Sequence, residues 1–125
     1  MIGYITLGTN NLESAEKFYD ELLSEIGAKR IMEDEGQCVV WGVDMESPCL
    51  TIMKPFDGNK ATVGNGVMIA LDMENPEKVK SFHKKALSLG ASCEGEPGPR
   101  SNGAFYCAYF RDLDGNKLNA FCIMG

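Results

Sequence analysis

The chain has 125 residues, 44% of them hydrophobic, which fits one domain with a real core. Its formal net charge is −6 and no stretch concentrates lysine and arginine, so nucleic acids and anionic membrane surfaces are poor candidate partners. The five cysteines include no C-x-x-C pair and lie in apolar runs, which predicts reduced, buried thiols. With no signal-peptide pattern and no apolar run of membrane-spanning length, we expect a cytoplasmic protein.

The first half of the chain predicts a strand, a helix and three more strands. Residues 2–7 are a short apolar run suited to a buried strand. Asn11 can cap the helix that follows, and Gly27 can supply the left-handed residue that ends it. The apolar residues of the helix recur at three- and four-residue spacing: Ala15, Phe18, Leu22 and Ile26. Short strands follow at about residues 29–34, 37–43 and 49–54.

The second half predicts the same order of elements. Residues 67–71 form the apolar strand, and Asn75 with Pro76 at the first helical position begins the helix. The apolar stripe of this helix is Val79, Phe82, Ala86 and Leu89. Gly90 ends the helix, and strands follow at about residues 91–94, 104–111 and 117–123.

The final turn and two polar, glycine-bearing segments complete the pattern. Asp-Gly within residues 112–116 is a hairpin signal, so the last two strands should pair with Tyr109 opposite Asn119. Residues 55–66 and 95–103 are expected to be loops, and loops of this length are more often functional or mobile than filler. The first of them joins the two halves.

The two halves also match each other directly. An offset of 64 residues aligns identical residues at six places, which pair Ile5 with Ile69, Leu7 with Leu71, Asn11 with Asn75, Glu13 with Glu77, Phe18 with Phe82 and Leu23 with Leu87. One deletion later, at an offset of 63, Gly27 falls on Gly90. The sequence therefore predicts a tandem duplication, with one domain over residues 1–125 built from modules at about 1–60 and 61–125.

A doubled β-α-β-β-β unit with these segments resembles the vicinal oxygen chelate superfamily, which includes glyoxalases, extradiol dioxygenases and bleomycin-binding proteins. The most specific pieces are residues 11–19, the joint at 64–67 and the closing run 109–118, which looks like the last hairpin of small bacterial glyoxalase-like proteins. The resemblance implies an α+β fold of tandem βαβββ modules, a curled mixed sheet with a central cleft.

In that family the cleft holds a divalent metal, with ligands from the first and fourth strands of each module. The resemblance carries these positions onto Tyr4, Met68 and Asn119, with the fourth near Leu50 or Thr51. A phenol, a thioether and a neutral amide do not supply the imidazole and carboxylate ligands that such ions prefer. We therefore expect no metal and no other cofactor at this site.

Other residues offer both functional and structural interpretations. Tyr109 would share the cleft with Asn119, Tyr4 and Met68 and could touch a ligand. Arg100 could bind a carboxylate or phosphate through two hydrogen bonds, or be a solvated loop charge. His83, the lone histidine, is interpreted as a packing or surface residue. Trp41 and Tyr106 fit the core or an interface better than a pocket. A soft metal site of cysteines and Met68 is a lesser alternative because no tight cysteine spacing supports it.

Three functions follow from this pattern. The leading hypothesis is a metal-free protein that binds a small organic molecule in the cleft, as the bleomycin-binding branch of the family does. The alternative is a lyase, isomerase or dioxygenase, similar to lactoylglutathione lyase, that uses noncanonical ligands or Tyr4 and Tyr109 as acid–base groups. Its catalytic residues stay unassigned. The third is a structural or interaction role. In each case the resemblance implies a homodimer.

Overall fold

The computed structural model describes residues 1–124, and this part of the chain forms two compact units, Met1–Val63 and a second that begins at Gly64. The fold is α+β, as predicted. The first unit contains β1 (Tyr4–Gly8), α1 (Leu12–Ser24), β2 (Lys29–Asp34), β3 (Cys38–Gly42) and β4 (Cys49–Met53). The second unit contains β5 (Ile69–Asp72), α2 (Pro76–Ser88), β6 (Ser92–Arg100), β7 (Phe105–Arg111) and β8 (Lys117–Ile123).

Each unit has a four-stranded mixed sheet with the same strand order. The order is β1-β4-β3-β2 in the first unit and β5-β8-β7-β6 in the second. In both, the first strand pairs in parallel with the last, and the remaining pairs are antiparallel. This shared order is what duplication of one βαβββ unit produces.

The predicted helix signals are confirmed in both units. The Asn11 side chain accepts a hydrogen bond from the Ser14 amide at 3.1 Å, and the Asn75 side chain accepts one from the Lys78 amide at 2.9 Å. These bonds satisfy amides that the first helical turn leaves without an internal partner. Each helix has 13 residues, and none of the described helices is long and apolar enough to cross a membrane.

The core of the first unit lies between α1 and one face of its sheet. Leu22 of α1 is fully buried, and the strands contribute buried residues at alternate positions because successive side chains point to opposite faces. These strand residues are Leu7, Val39, Trp41, Leu50 and Ile52. Trp41 packs against Tyr19 with ring centroids 5.7 Å apart. Trp41 is therefore a core residue, as predicted.

An ion-pair network holds α1 to the edge of the first sheet. Arg30 of β2 donates to both carboxylate oxygens of Asp20 of α1, through Nε at 2.8 Å and Nη2 at 2.7 Å. The Trp41 indole Nε1 also donates to Asp20, at 2.9 Å. The Arg30 guanidinium, by its hydrogen bonds, holds the pKa of the Asp20 carboxyl below its usual value. Asp20 is therefore an anion at neutral pH, shared by a helix and two strands.

The second unit repeats this packing with different residues. Phe82 of α2 and Phe110 of β7 are buried with ring centroids 6.1 Å apart. Leu118, Ala120 and Cys122 of β8 face the same side and are fully buried. Tyr106 of β7 shares this side, because its register partner is Cys122, and it is half-buried.

Several expectations need correction. The apolar runs at residues 2–7 and 67–71 are not buried strands over their full length, because β1 begins at Tyr4, β5 begins at Ile69, and Ile2 and Val67 are exposed.

The other corrections concern β6 and the cysteines. The predicted loop at residues 95–103 is wrong for its first part, because β6 continues as a strand to Arg100. Its glycines and prolines are tolerated because β6 is an edge strand with two register shifts. The predicted burial of all thiols is wrong for Cys93, which is exposed on this edge, while Cys38 and Cys49 are half-buried.

Candidate functional site

The candidate site begins with the β7–β8 hairpin, whose turn is built as the sequence predicts. The Asp112 carboxylate accepts hydrogen bonds from the backbone amides of Asp114 and Asn116, each at 2.9 Å. The turn sets the register of the two strands, and Tyr109 lies opposite Asn119, as predicted. Directly opposed residues of antiparallel strands point to the same face of the sheet.

That face, which is the one turned away from α2, carries a cavity of about 260 Å³. Arg100, Tyr109 and Asn119 line it together. Its other lining residues are Ala70, Ser101, Phe105, Cys107 and Phe121. None of these five residues was predicted from the sequence to line a cavity. The two-residue alternation along β7 and β8 could have found three of them, since Phe105 and Cys107 share a face with Tyr109, and Phe121 shares one with Asn119.

Arg100 is held in place by its own strand and by an aromatic ring. Its guanidinium carbon lies 5.6 Å from the centroid of the Tyr109 ring. Nη2 donates to the Glu96 carbonyl at 2.9 Å, and Nη1 donates to the Pro99 carbonyl at 3.2 Å. A Cβ on Gly95 would lie 2.9 Å from Cδ2 of Tyr109, so a glycine there allows the ring to approach the strand. The cavity thus has one oriented positive charge.

The polar side chains beside Arg100 differ in whether their hydrogen-bonding atoms have partners. Burial, and a hydrogen bond with the Cys107 side chain, raise the pKa of Tyr109 above its usual value. The positive charge of Arg100 and a hydrogen bond from Asn119 lower this pKa, but by less. Tyr109 is therefore a neutral phenol at physiological pH. Asn119 is 4% exposed, and its Oδ1 is buried without a hydrogen-bond partner among the described residues. Such an atom carries a desolvation cost that a ligand donor would relieve.

Of the other predicted site residues, Tyr4 belongs to the first unit and Met68 to the second. Tyr4 is 69% exposed and lines a cavity of about 530 Å³ within the first unit. Of the two possibilities for the fourth position, Thr51 lines this cavity and Leu50 faces the core. Thr51 Oγ1 is also buried without a partner among the described residues. The described residues that line the second-unit cavity do not include Met68, which precedes β5 and is 40% exposed.

These residues do not fit the divalent metal that the resemblance implies. Tyr4, Met68 and Asn119 offer a phenol, a thioether and an amide, and Thr51 offers a hydroxyl. None is an imidazole or a carboxylate, so the set supplies no anionic charge at neutral pH to balance a divalent ion. The unpartnered oxygens of Thr51 and Asn119 are neutral acceptors, better suited to a hydrogen-bond donor of a ligand than to a metal ion alone.

The fold has relatives among solved structures. The chain resembles the crystal structure of a glyoxalase/bleomycin resistance protein from Albidiferax ferrireducens T118, with 32% identity, a TM-score of 0.89 and 99% of each chain covered. A lactoylglutathione lyase from Agrobacterium tumefaciens has the same fold, with 20% identity, a TM-score of 0.70, and coverage of 98% of this chain and 92% of that one.

A glyoxalase/bleomycin resistance protein/dioxygenase family enzyme from Burkholderia phytofirmans PsJN also shares the fold, with 14% identity, a TM-score of 0.77 and 98% of each chain covered. No curated protein matches significantly. The family model for the glyoxalase/bleomycin resistance protein/dioxygenase superfamily matches residues 1–120. On this match and the 32% identical structure, the chain belongs to the glyoxalase/bleomycin resistance protein/dioxygenase superfamily.

Proposed function

We propose that the second-unit cavity binds a small organic anion with an aromatic or otherwise apolar body. The observation that carries this proposal is the convergence of Arg100, Tyr109 and Asn119 on one cavity whose other walls include Phe105 and Phe121. The two phenylalanine rings have centroids 6.3 Å apart. A few polar groups on an apolar wall are typical of small-molecule sites.

The charge of the cavity supports an anionic ligand. Arg100 brings a permanent positive charge that carboxylates and phosphates accept through two parallel hydrogen bonds. Tyr109, with its raised pKa, keeps its one hydroxyl proton and can donate it to a ligand in place of the Cys107 side chain. Asn119 Oδ1 can accept a donor from the ligand. The volume of about 260 Å³ lies near the lower end for ligand pockets, which favours a small molecule.

We also propose that the family's metal is not held at Tyr4, Met68 and Asn119, because these donors lack the charge and basicity it needs. This favours a binding protein over a metal-dependent lyase or dioxygenase. A general-base role for Tyr109 is also disfavoured, since a phenol whose pKa is raised keeps its proton at neutral pH. The enzyme alternative would gain support if a ligand found by screening were converted.

Benzoate is a suitable probe, because it combines a carboxylate with an aromatic ring, and benzamide is its neutral counterpart. A ligand of the folded state raises Tm by mass action, so benzoate should raise Tm in a dose-dependent manner and benzamide should not. Arg100→Gln should weaken benzoate binding about 10-fold or more, since a hydrogen bond to a charged group contributes about 1.5–3 kcal/mol. Tyr109→Phe should weaken it by a smaller factor.

Lys17→Gln is the matched control, because it removes one positive charge from a side chain that is 78% exposed on α1. It should bind benzoate as the parent does. If Arg100→Gln and Tyr109→Phe both fold and bind as the parent does, the ligand site is not this cavity. If benzamide binds as well as benzoate, the site does not select anions.

We propose further that the chain forms a homodimer. Large apolar side chains are exposed in the first unit, among them Tyr4, Met32 and Met45, and exposed apolar clusters often mark interfaces. Closed two-fold dimers are the commonest soluble oligomer. Sedimentation equilibrium should give twice the chain mass of 13.7 kDa. A mass of 13.7 kDa that persists at high concentration would contradict this.

A further inference from the structure

A second group of ligand-type side chains lies away from the cavity, between α2 and β6. His83, Cys93 and Glu96 each offer a ligand atom, and these atoms all lie within 4.8 Å of one another. Cys93 is the register partner of Phe110, a core residue that faces α2. The group therefore lies on the helix side of the sheet, whereas Arg100, Tyr109 and Asn119 face the other side.

The irregularity of β6 explains why Cys93 and Glu96 meet. Residues three apart on a regular strand point to opposite faces. Here one extra residue is inserted between Cys93 and Gly95 and another between Gly95 and Gly98, and the Cys93 thiol donates to the Glu96 carboxylate at 3.4 Å. Bulges often redirect side chains next to functional sites.

The first unit has a bulge at the same place in its second strand, with different side chains. At the offset of 63 residues, Arg30 and Glu33 correspond to Cys93 and Glu96, and β2 has a register shift immediately after Arg30. Arg30 Nη1 and Glu33 Oε1 are 3.0 Å apart. The duplicated backbone thus brings the same two positions together in each unit. In the first unit they form an ion pair, and in the second they are a thiol and a carboxylate.

His83 provides the independent observation that points to a ligand. Its side chain is 97% buried, since its exposure is 3%, and its Nε2 has no hydrogen-bond partner among the described residues. A buried polar atom without a partner is unfavourable and uncommon in native structures. A ring nitrogen of this residue is also the third member of the group. The group thus combines a buried imidazole, which has a ring nitrogen without a hydrogen-bond partner, with two exposed side chains of ligand type.

We propose that His83, Cys93 and Glu96 form a zinc site. Imidazole, thiolate and carboxylate are all zinc ligands, and a mixed nitrogen, sulfur and oxygen set suits this borderline ion better than magnesium or calcium. Ligand atoms around a tetrahedral zinc lie about 3.5 Å apart, so a modest contraction of the group suffices. Cys93 and Glu96 are exposed and can rotate toward the fixed His83. Three protein ligands leave a fourth position for water.

Binding requires one proton to leave the site. The Cys93 S–H bond breaks, the proton passes to the buffer, and the thiolate sulfur binds the zinc ion, while His83 uses a neutral ring nitrogen and Glu96 its carboxylate. No oxidant or reductant takes part. The zinc site is independent of the proposed anion site, because its ligands lie on the opposite face of the sheet.

The test is zinc binding by the full chain after dialysis against a chelator, measured by competition with a chromophoric chelator. Cobalt(II) serves as a spectroscopic probe, because a thiolate ligand gives a charge-transfer band in the near ultraviolet. The informative variants are Cys93→Ser and Glu96→Gln, since both side chains are exposed and their replacement spares the core. Replacing His83 would disturb the core as well as the zinc site, because this side chain is buried. The test therefore uses the Cys93 and Glu96 variants.

Two control variants match these changes. Cys38→Ser removes a half-buried thiol of the first unit, and Glu33→Gln changes the carboxylate at the repeat-equivalent position. We expect one zinc per chain in the parent and both controls, a cobalt–thiolate band that Cys93→Ser abolishes, and affinity losses of about 100-fold for Cys93→Ser and about 10-fold for Glu96→Gln.

The proposal is overturned if the parent binds zinc no more tightly than Cys93→Ser, if its cobalt form lacks the thiolate band, or if Cys38→Ser loses as much affinity. Benzoate binding separates this result from the proposed function. Glu96→Gln keeps the backbone carbonyl that accepts from Arg100, so it should bind benzoate as the parent does whether or not zinc binds.

Discussion

The two units share a backbone plan but carry different chemistry at equivalent positions. Both have the same strand order, an asparagine cap on the helix and a register shift at the same place in the second strand. At that shift the first unit has Arg30 and Glu33, and the second has Cys93 and Glu96. The apolar pattern and the caps therefore specify the backbone, while the side chains at the bulge differ, an ion pair in the first unit and a thiol beside a carboxylate in the second.

The sheet faces turned away from the helices differ in the same way. Met32 of β2 corresponds to Gly95 of β6, and this loss of a side chain lets Tyr109 and Arg100 lie close to the strand. The first-unit cavity is larger, at about 530 Å³ against about 260 Å³, but has no oriented guanidinium among its described lining residues. The oriented charge of Arg100, rather than the cavity volume, is therefore what supports the proposed anion site in the second unit.

The largest expected loss of stability comes from the helix cores, where the two units have side chains of different size at one equivalent position. Leu22 and Ala86 are equivalent in the repeat, and both are fully buried. Leu22→Ala should lower the free energy of unfolding by about 2–5 kcal/mol. The change removes buried apolar atoms and leaves a cavity into which the surrounding side chains relax only partly. Chemical denaturation measures the change. Leu113→Ala, at a leucine that is 45% exposed, is the control and should change stability by less than about 0.5 kcal/mol.

The next effect tests the difference between Gly95 and Met32. In Gly95→Ala the new Cβ would lie 2.9 Å from the Tyr109 ring and 3.3 Å from Arg100 Nη2, so both side chains must move. Stability should fall by about 1–3 kcal/mol, and benzoate affinity should fall with it. Gly3→Ala is the matched control, because a new Cβ there would have no neighbouring atom within 4 Å, and it should change stability by less than about 0.5 kcal/mol. If both changes lower stability equally, the close approach of the Tyr109 ring to Gly95 does not contribute to stability.

The smallest effect concerns the ion pair that the second unit does not repeat. Asp20 is 40% exposed, so solvent screens its pair with Arg30, and Asp20→Asn should cost about 1 kcal/mol at neutral pH. Glu13→Gln breaks a pair whose carboxylate is 82% exposed and should cost less. Urea denaturation of the two variants makes the comparison, and a larger loss for Glu13→Gln would contradict the structural role of Asp20.

The pH dependence of that effect has a definite sign. The pKa of Asp20 is lower in the folded chain, so the unfolded chain binds its proton first as the pH falls. Its stabilising contribution is complete above the unfolded pKa of about 4 and is lost as the pH falls through the lower folded value. The stability difference between parent and Asp20→Asn should therefore shrink below about pH 4. A difference that grows with acidity would contradict the assignment.

Most of the backbone could be predicted from the sequence because its signals are local. Asn11 and Asn75 cap the helices, and the Asp-Gly turn sets the pairing of Tyr109 with Asn119. The bounds of β2 and β8 match their predicted ranges. In each case a short segment contains the residues that form the necessary hydrogen bonds or the apolar face.

β6 could not be predicted in this way, because proline and glycine within residues 95–99 are typical of a loop. The strand persists because its partner β7 is well paired on its other side, and an edge strand with bulges tolerates residues that cannot complete a ladder. The convergence of His83, Cys93 and Glu96 was missed for the same reason. It depends on two extra residues in β6 and on the packing of α2, neither of which is visible in spacing alone.

A benzoate titration of the isotopically labelled protein, followed by amide chemical shifts in nuclear magnetic resonance spectra, locates the anion-binding site. We expect saturable shifts concentrated around Arg100, Tyr109 and Asn119 in the second unit, and their loss in Arg100→Gln. Saturable shifts confined to the first-unit cavity around Tyr4 and Thr51, or no saturable shifts at all, would contradict the proposed anion site.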